Sequence, residues 1–212
     1  MNTYLLILIS YLIGSTPTSY VVGKFVYGVD LRTEGSGNLG GTNVFRVLGI
    51  KAALPVIVVD ILKGWLPTWY FPQIQSDPSS WTWALAYGGA AILGHVFSFW
   101  IRFHGGKGVA TSGGVFMAIS PISLLAGFVT WLVVVMKTKT SSLGSLSASL
   151  IIPAVIYFTI PQDRLVVFWF TICLSIFVIW SHRSNIKRIL SGEEDALQRN
   201  NSDNNKFGGH SP

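Results

Sequence analysis

Two glycine-rich stretches carry most of the residues that could bind an anion. The first, GSGNLGGTN at residues 35–43, combines four glycines with Ser36, Thr42 and Asn43. Glycines let backbone N–H groups approach an anion closely, and hydroxyl and amide groups add neutral donors. Arg46 follows at i+3 from Asn43, so a short helix capped by Thr42 or Asn43 would aim its N-terminus and a guanidinium at one phosphate. A flexible loop is the simpler interpretation of this stretch alone.

The same stretch satisfies the G-x-G-x-x-G pattern of dinucleotide-binding folds at residues 35–40. That fingerprint needs a buried strand before it and a helix after it, within a βαβ unit of about 30 residues. Residues 30–34 are polar, and long apolar runs lie on both sides. A Rossmann fold is therefore not expected, and phosphate binding without a dinucleotide is the chemistry that remains.

The second stretch, GHVFSFWIRFHGGKGVATSGG at residues 94–114, places Lys107 on a glycine-rich turn. It is not a Walker A sequence, because Gly108 stands where Ser or Thr should follow the lysine. Lys107 could act as a point charge for phosphate, with Thr111 and Ser112 on the first turn of the next helix. Alternatively, Lys107 only anchors the inside end of a membrane span.

Polar residues also cluster where two later apolar segments begin or end. Ser142 and Ser145 lie at the start of one segment, where hydroxyls often cap helices. His182 and Asn185 lie at i, i+3 on one helix face where the last apolar segment ends. The basic residues beside them are interpreted as anchoring charges: Arg183, Lys187 and Arg188.

Three ionisable residues lie inside apolar segments, where charges are costly and usually paired. Asp60 and Lys63 are spaced i, i+3, which predicts an ion pair that supports the site from below; direct substrate contact is the alternative. His95 is either a hydrogen-bonded structural residue or a catalytic one. No metal-binding motif and no His-x4-Asp acyltransferase motif is present, and no metal or cofactor is expected.

Composition places these residues in a membrane protein. Of 212 residues, 50% are hydrophobic and only 11% are charged, whereas soluble domains carry roughly 25% charged residues. The net charge of +6 fits cytoplasmic loops and anionic ligands. Nucleic-acid binding is not expected, because the basic residues are interleaved with apolar spans. Cys173 is the only cysteine, so no intramolecular disulfide can form.

Six apolar segments must be arranged into spans of about 20 residues each. The clear ones are 4–23, 52–71, 81–101, 143–160 and 165–180. The sixth, 109–136, would form a helix of about 42 Å, longer than a bilayer core of about 30 Å. Pro121 interrupts it, which favours two short spans that meet near Ser120 and Pro121.

Charge distribution decides between six and seven spans. With seven spans and the N-terminus outside, 13 of the 15 basic residues fall on the cytoplasmic side, as the positive-inside rule requires. Arg164 would lie outside and Lys63 within a span. The sequence thus predicts an all-α membrane protein with a seven-span domain at 1–190, a disordered cytoplasmic tail at 191–212, and every glycine-rich loop on the cytoplasmic face.

Together these segments resemble the bacterial acyl-phosphate:glycerol-3-phosphate acyltransferase family. The signatures are GSGNLGGTNVFRVLG (35–49), DILKG (60–64), GHVFSFWIRFHGGKGVAT (94–111), SSLGS (141–145) and HRSNIKRILSGEE (182–194). The resemblance implies an enzyme of the bacterial inner membrane that transfers a fatty acyl group from acyl phosphate to the 1-hydroxyl of glycerol 3-phosphate. The product would be lysophosphatidic acid, and the active site would face the cytoplasm.

The resemblance also implies roles for particular residues. His182 and Asn185 would contact glycerol phosphate or the transition state, while either His182 or a substrate phosphate accepts the proton. His104 stands where the family usually has lysine, and Ser98 where proline is common, which would weaken one phosphate contact and loosen the loop entry. The expected phosphate ligands are Ser36, Gly37, Asn38, Thr42, Asn43, Arg46, Lys107, Thr111, Ser112 and one of Ser142 and Ser145.

Acyl phosphate and glycerol 3-phosphate are the expected substrates, the lipid bilayer is the expected surroundings, and no obligate protein partner is expected. A transporter of an organic phosphate is the alternative, since it too would use basic residues and broken helices. No internal inverted repeat is visible in the sequence, and the glycine-rich segments lie on one predicted face. Both observations favour the enzyme.

Overall fold

The computed structural model describes residues 1–76, 82–161 and 165–194, and within these ranges the chain is helical and has no strand. This confirms the all-α prediction. A π-helical turn at Val22–Val26 continues α2, and a 3₁₀ turn at Phe99–Ile101 follows α5. The helices are α1 (Thr3–Ser15), α2 (Thr18–Val21), α3 (Gly41–Leu48), α4 (Ile50–Ile74), α5 (Trp83–Val96), α6 (Val109–Ile119), α7 (Pro121–Thr138), α8 (Ser141–Thr159), α9 (Leu165–Ser181) and α10 (Arg183–Leu190).

Within the described ranges, four helical segments are long and apolar enough to cross a membrane. They are Thr3–Val26, Trp83–Ile101, Pro121–Thr138 and Ser141–Thr159. A fifth is reached if α9 and α10, which meet at a bend of 58°, count as one broken span. The protein is therefore membrane-integral, and the seven spans remain a prediction, because the described helices give only four or five.

The break at the sixth apolar segment is where the sequence placed it, but the two halves differ in length. α6 ends at Ile119 and α7 begins at Pro121, with Ser120 at φ −151° between them. Two short helices were expected. Only α6 is short, with 11 residues, because α7 runs for 18 residues to Thr138 and is long enough to span by itself.

Glycines bring the helices that carry the site into backbone contact. On α4 and α6, a Cβ at Gly64 would lie 2.1 Å from the carbonyl oxygen of Thr111, and one at Gly114 would lie 1.9 Å from that of Ile61. Such distances leave room only for hydrogen. α6 is consequently buried or half-buried at every residue except Met117, which shields a helix too short to cross the bilayer alone.

The folded part of the chain continues beyond residue 190, where the domain boundary was expected. Glu194 accepts hydrogen bonds from Ser142 and Asn185, both at 2.6 Å, so residues 191–194 pack against the helices. The remainder of the predicted tail, 195–212, lies outside the described residues, as does Arg164, which was expected on the outer side.

Candidate active site

A cavity of about 430 Å³ lies where the two glycine-rich stretches meet α8 and α9. One part of its wall is polar and carries cationic, hydroxyl and amide groups. The structure thereby brings together residues that are up to 158 positions apart in the chain, between Ser36 and Glu194. The predicted site residues that line it are Ser36, Asn38, Thr42, Asn43, Arg46, Asp60, His95, Lys107, Ser112, Ser142, Ser145, His182 and Asn185.

Three helix N-termini contribute to this wall. The first residues of α3, α6 and α8 all line the cavity, and Thr42 Oγ1 lies 3.2 Å from Ser141 Oγ, which links α3 to α8. A helix N-terminus carries a partial positive charge and unpaired N–H groups. Their convergence on one cavity, together with Arg46 and Lys107, creates an environment suited to more than one anion.

Asn43 orders the first glycine-rich stretch and does not offer its donors to the cavity. Its Nδ2 donates to the carbonyl oxygens of Leu31 (3.2 Å) and Glu34 (3.0 Å), and its Oδ1 accepts from the backbone N–H of Ser36 at 2.8 Å. The side chain is 1% exposed. Since both N–H groups are used, the expectation that Asn43 binds phosphate is corrected: Asn43 positions the loop.

Lys107 is tied to the end of α9 and to α10. Its backbone carbonyl accepts from Ser181 Oγ at 3.3 Å, and its Nζ donates to Asn185 Oδ1. Asn185 in turn donates from Nδ2 to Glu194. The i, i+3 spacing of His182 and Asn185 therefore does bring both side chains to the cavity, with Lys107 beside them.

Glu194 is a site residue that sequence reasoning missed. Its carboxylate accepts from Ser142 Oγ and Asn185 Nδ2, and also from Arg188 Nε at 2.8 Å. Burial alone would raise the pKa of this carboxyl, but the three hydrogen bonds and the charge of Arg188 hold it below its usual value. Glu194 thus stays ionised and joins α8 to α10.

Arg188 was interpreted as an anchoring charge, and the structure corrects this. Its side chain lines the cavity and forms an ion pair with Glu194. Arg183, by contrast, is exposed and stacks over Trp180 at 4.3 Å, as an anchoring residue would. A helical wheel could have found Arg188, because its i+3 spacing from Asn185 places it on the same face of α10.

Burial and neighbouring charge lower two pKa values at the site. Burial of the Lys107 ammonium, aided by the positive charges of Arg188 and Arg46, lowers its pKa to about 8. Burial of the His182 ring, aided by Lys107, lowers its pKa to about 4. At neutral pH Lys107 is mostly charged and His182 is neutral.

The tautomer of His182 follows from its backbone partner. Nδ1 lies 2.8 Å from the carbonyl oxygen of Val178, which can only accept a hydrogen bond. In the neutral ring, Nδ1 therefore carries the proton and Nε2 is the free lone pair. Such a nitrogen can accept a hydrogen bond from a hydroxyl group.

Several predicted residues do not line the cavity. Thr111 is fully buried against α4, because its backbone and side chain pack directly on Gly64. Gly37, at φ +69°, shapes the loop backbone. His104 is exposed, and its Nδ1 lies 2.6 Å from the carbonyl oxygen of Arg102. Ser112 does line the cavity, and its buried hydroxyl has no hydrogen-bond partner in the part of the chain described.

The intramembrane charges lie directly behind the second glycine-rich turn. Lys63 Nζ lies 2.8 Å from Asp60 Oδ1, as the i, i+3 spacing predicted, and donates to the carbonyl oxygen of Thr16 at 3.0 Å. His95 contacts this turn, since a Cβ at Gly106 would lie 2.2 Å from its Nε2. The cluster supports the loop that carries Lys107.

The rest of the cavity wall is apolar. It is formed mainly by side chains of α6, α7, α8 and α9, with Ile57 and Ile61 of α4, and it continues from the polar part. Its principal members are Phe116, Leu124, Phe128, Trp131, Ile152, Leu174 and Val178. A ligand that fills the whole cavity must be anionic at one end and hydrophobic at the other.

Residues 4–192 match the family model described as glycerol-3-phosphate acyltransferase. The chain belongs to this family. It is 42% identical over 200 residues to a glycerol-3-phosphate acyltransferase of Listeria welshimeri, covering 93% of this chain and 98% of the relative. It is 43% identical over 196 residues to one of Geobacillus kaustophilus, covering 92% and 96%.

Solved structures agree with the sequence relatives. This chain is similar in fold to PlsY (YgiH), an integral membrane glycerol 3-phosphate acyltransferase. In the glycerol 3-phosphate form, the TM-score is 0.83 at 36% identity, over 92% of this chain and 94% of that one. In the lysophosphatidic acid form, the TM-score is 0.82 at 34% identity, with the same coverage. The protein is thus an acyltransferase, and the transporter alternative is wrong.

Proposed function

We propose that this acyltransferase moves a fatty acyl group from acyl phosphate to the 1-hydroxyl of glycerol 3-phosphate. The observation that carries the proposal is the cavity, in which an anion-binding wall is continuous with an apolar one. The product, lysophosphatidic acid, has the same division into a phosphate end and a hydrocarbon chain, and both substrates carry a phosphate.

Holding two anions close together is the main catalytic task. Arg46 and Lys107 supply charge, and the three helix N-termini with Ser36, Thr42 and Ser112 supply neutral donors. The choice between Ser142 and Ser145 stays open, because both line the cavity and each hydroxyl already donates within the protein, Ser142 to Glu194 and Ser145 to the carbonyl oxygen of Ser141. Correct positioning of two reactants contributes several kcal/mol to lowering the barrier.

In the reaction, the 1-hydroxyl oxygen attacks the acyl carbonyl carbon, the carbon–oxygen bond to phosphate breaks, and phosphate leaves. His182 Nε2 accepts the hydrogen bond of the attacking hydroxyl and orients it. With its pKa at about 4, His182 is a weak base at neutral pH. The leaving phosphate oxygen is the stronger candidate for the proton.

The proposal includes seven spans in a bacterial inner membrane, formed by the four long segments above together with α4, α6 and α9. The N-terminus would lie outside and the active site would face the cytoplasm. The support is the positive-inside distribution of basic residues around the glycine-rich loops. Water-soluble glycerol 3-phosphate could then enter directly from the cytoplasm.

Purified protein in detergent or vesicles should release inorganic phosphate from palmitoyl phosphate only when glycerol 3-phosphate is present. Lysophosphatidic acid should appear in equal amount. Palmitoyl-coenzyme A supplied instead should give no product, because coenzyme A is far larger than the phosphate group that the polar wall is proposed to hold. Turnover with palmitoyl-coenzyme A and none with palmitoyl phosphate would show that acyl phosphate is not the donor.

A further inference from the structure

The apolar part of the cavity ends at the same level on four different helices. The last lining residues are Phe116 on α6, Leu124 on α7, Ile152 on α8 and Leu174 on α9. All four pack in one hydrophobic cluster around buried Val115 and Val178. The apolar part therefore ends in a floor made of side chains from α6, α7, α8 and α9.

The layer below this floor is closely packed. One helical turn beyond Ile152 lies Ile156, which is fully buried and packs against Leu85 and Val167. Thr171, one turn beyond Leu174, is 1% exposed and does not line the cavity. Extension of the cavity in this direction would require these side chains to move.

The depth of the apolar part can be read along α8. Ser142 at the polar end and Ile152 at the floor are ten residues apart on one helix, which corresponds to about 15 Å. A bilayer core of about 30 Å holds two opposed acyl chains, so one chain occupies about 15 Å. The floor thus lies at the depth that the end of one membrane acyl chain reaches.

We propose that Ile152, with Leu174 and Leu124 beside it, limits the length of the acyl chain that the enzyme transfers. This inference rests on the proposed function, since it takes the acyl phosphate chain as the occupant of the apolar part. Chains up to the floor gain burial with each methylene, at about fourfold in affinity for each. Longer chains meet packed side chains and gain nothing.

Two substitutions should move the limit in opposite directions. The experiment measures kcat/KM for octanoyl, lauroyl, palmitoyl and stearoyl phosphate, with glycerol 3-phosphate saturating. Ile152→Trp raises the floor and should lower the ratio of palmitoyl to lauroyl turnover at least about tenfold. Leu174→Ala lowers the floor and should raise the ratio of stearoyl to palmitoyl turnover by at least about fourfold.

Leu150→Trp is the matched control, because Leu150 lies on the same helix with 63% of its surface exposed, away from the cavity. It should leave the chain-length profile unchanged. Wild-type activity with an unmoved profile in Ile152→Trp, or the same shift in Leu150→Trp, overturns the length limit alone. If Ile152→Trp does not fold, the profile of Leu174→Ala decides. Wild-type protein that uses none of the acyl phosphates overturns the proposed function itself.

Discussion

Arg46 lies on α3 and Lys107 on the second glycine-rich turn, and each presents a cation to the same cavity. Loss of a charge-assisted contact costs about 1.5–3 kcal/mol, so Arg46→Ala and Lys107→Ala should each lower kcat/KM at least about tenfold. Lys137 and Lys139 are exposed and lie away from the cavity; their alanine variants should stay within about threefold. Near-normal turnover in both Arg46→Ala and Lys107→Ala would show that the glycine-rich stretches do not bind substrate phosphate.

The lowered pKa of Lys107 makes the enzyme sensitive to alkaline pH. A lysine binds anions only while protonated, so kcat/KM for glycerol 3-phosphate should fall as pH rises through about 8. Lys107→Arg should remove this alkaline fall in kcat/KM, because arginine stays charged. The variant should still be less active than the wild type, since a planar guanidinium replaces a compact ammonium. The measurement is a pH–rate profile of the wild type and of Lys107→Arg. Each rate is corrected for the inorganic phosphate released without glycerol 3-phosphate. An unchanged alkaline limb in Lys107→Arg would assign it to another group.

The size of the activity loss in His182→Ala distinguishes two mechanisms of proton transfer. If a substrate phosphate takes the proton, His182→Ala should lower kcat modestly; a general base would cost about 10²–10⁴-fold. We expect the modest result. With its pKa near 4, His182 should also contribute no ionisation between pH 6 and 7. A bell-shaped profile with an acidic limb in that range, lost in His182→Ala, would instead identify His182 as the base.

At the scale of elements, the α4–α6 contact places Ser112 in the cavity and keeps Thr111 out of it. In Gly64→Ala, the new Cβ would lie 2.1 Å from a backbone oxygen, which cannot move without separating the helices. Such overpacking costs about 1–3 kcal/mol. The variant should therefore unfold at lower temperature and lose activity.

Gly89→Ala on α5 is the control for this prediction, because its Cβ would have only an ordinary contact at 3.5 Å, with Phe170. Thermal unfolding followed by fluorescence, together with turnover, compares the two variants. Equal behaviour of Gly64→Ala and Gly89→Ala would show that the helix pair tolerates separation and does not position α6.

At the scale of the whole molecule, the proposed orientation can be tested by labelling single cysteines. Cys173→Ala provides a cysteine-free background. In it, Ser76→Cys should react with an impermeant thiol reagent from outside, and Lys139→Cys only after permeabilisation. Ser76 precedes α5 and Lys139 lies between α7 and α8, and both are exposed. Reaction of both positions from the same side would rule out seven spans in this order.

The sequence by itself determined the class of the molecule and its chemistry. Hydropathy identified membrane helices and Pro121 marked the break between α6 and α7, because both signals are local. Glycine, hydroxyl and basic residues in the same stretches predicted anion binding, and the i, i+3 spacing of His182 and Asn185 placed them on one face.

Only the tertiary structure decided which neighbour each side chain meets. Asn43 and Thr111 were expected at phosphate, yet one binds loop carbonyls and the other faces α4. Arg188 was interpreted as an anchoring charge and Glu194 fell in the predicted disordered tail, yet Glu194 contacts both Arg188 and Ser142, which is 52 positions away. The physical reason is that helical periodicity fixes relative faces, whereas close glycine contacts between distant helices fix which face turns inward.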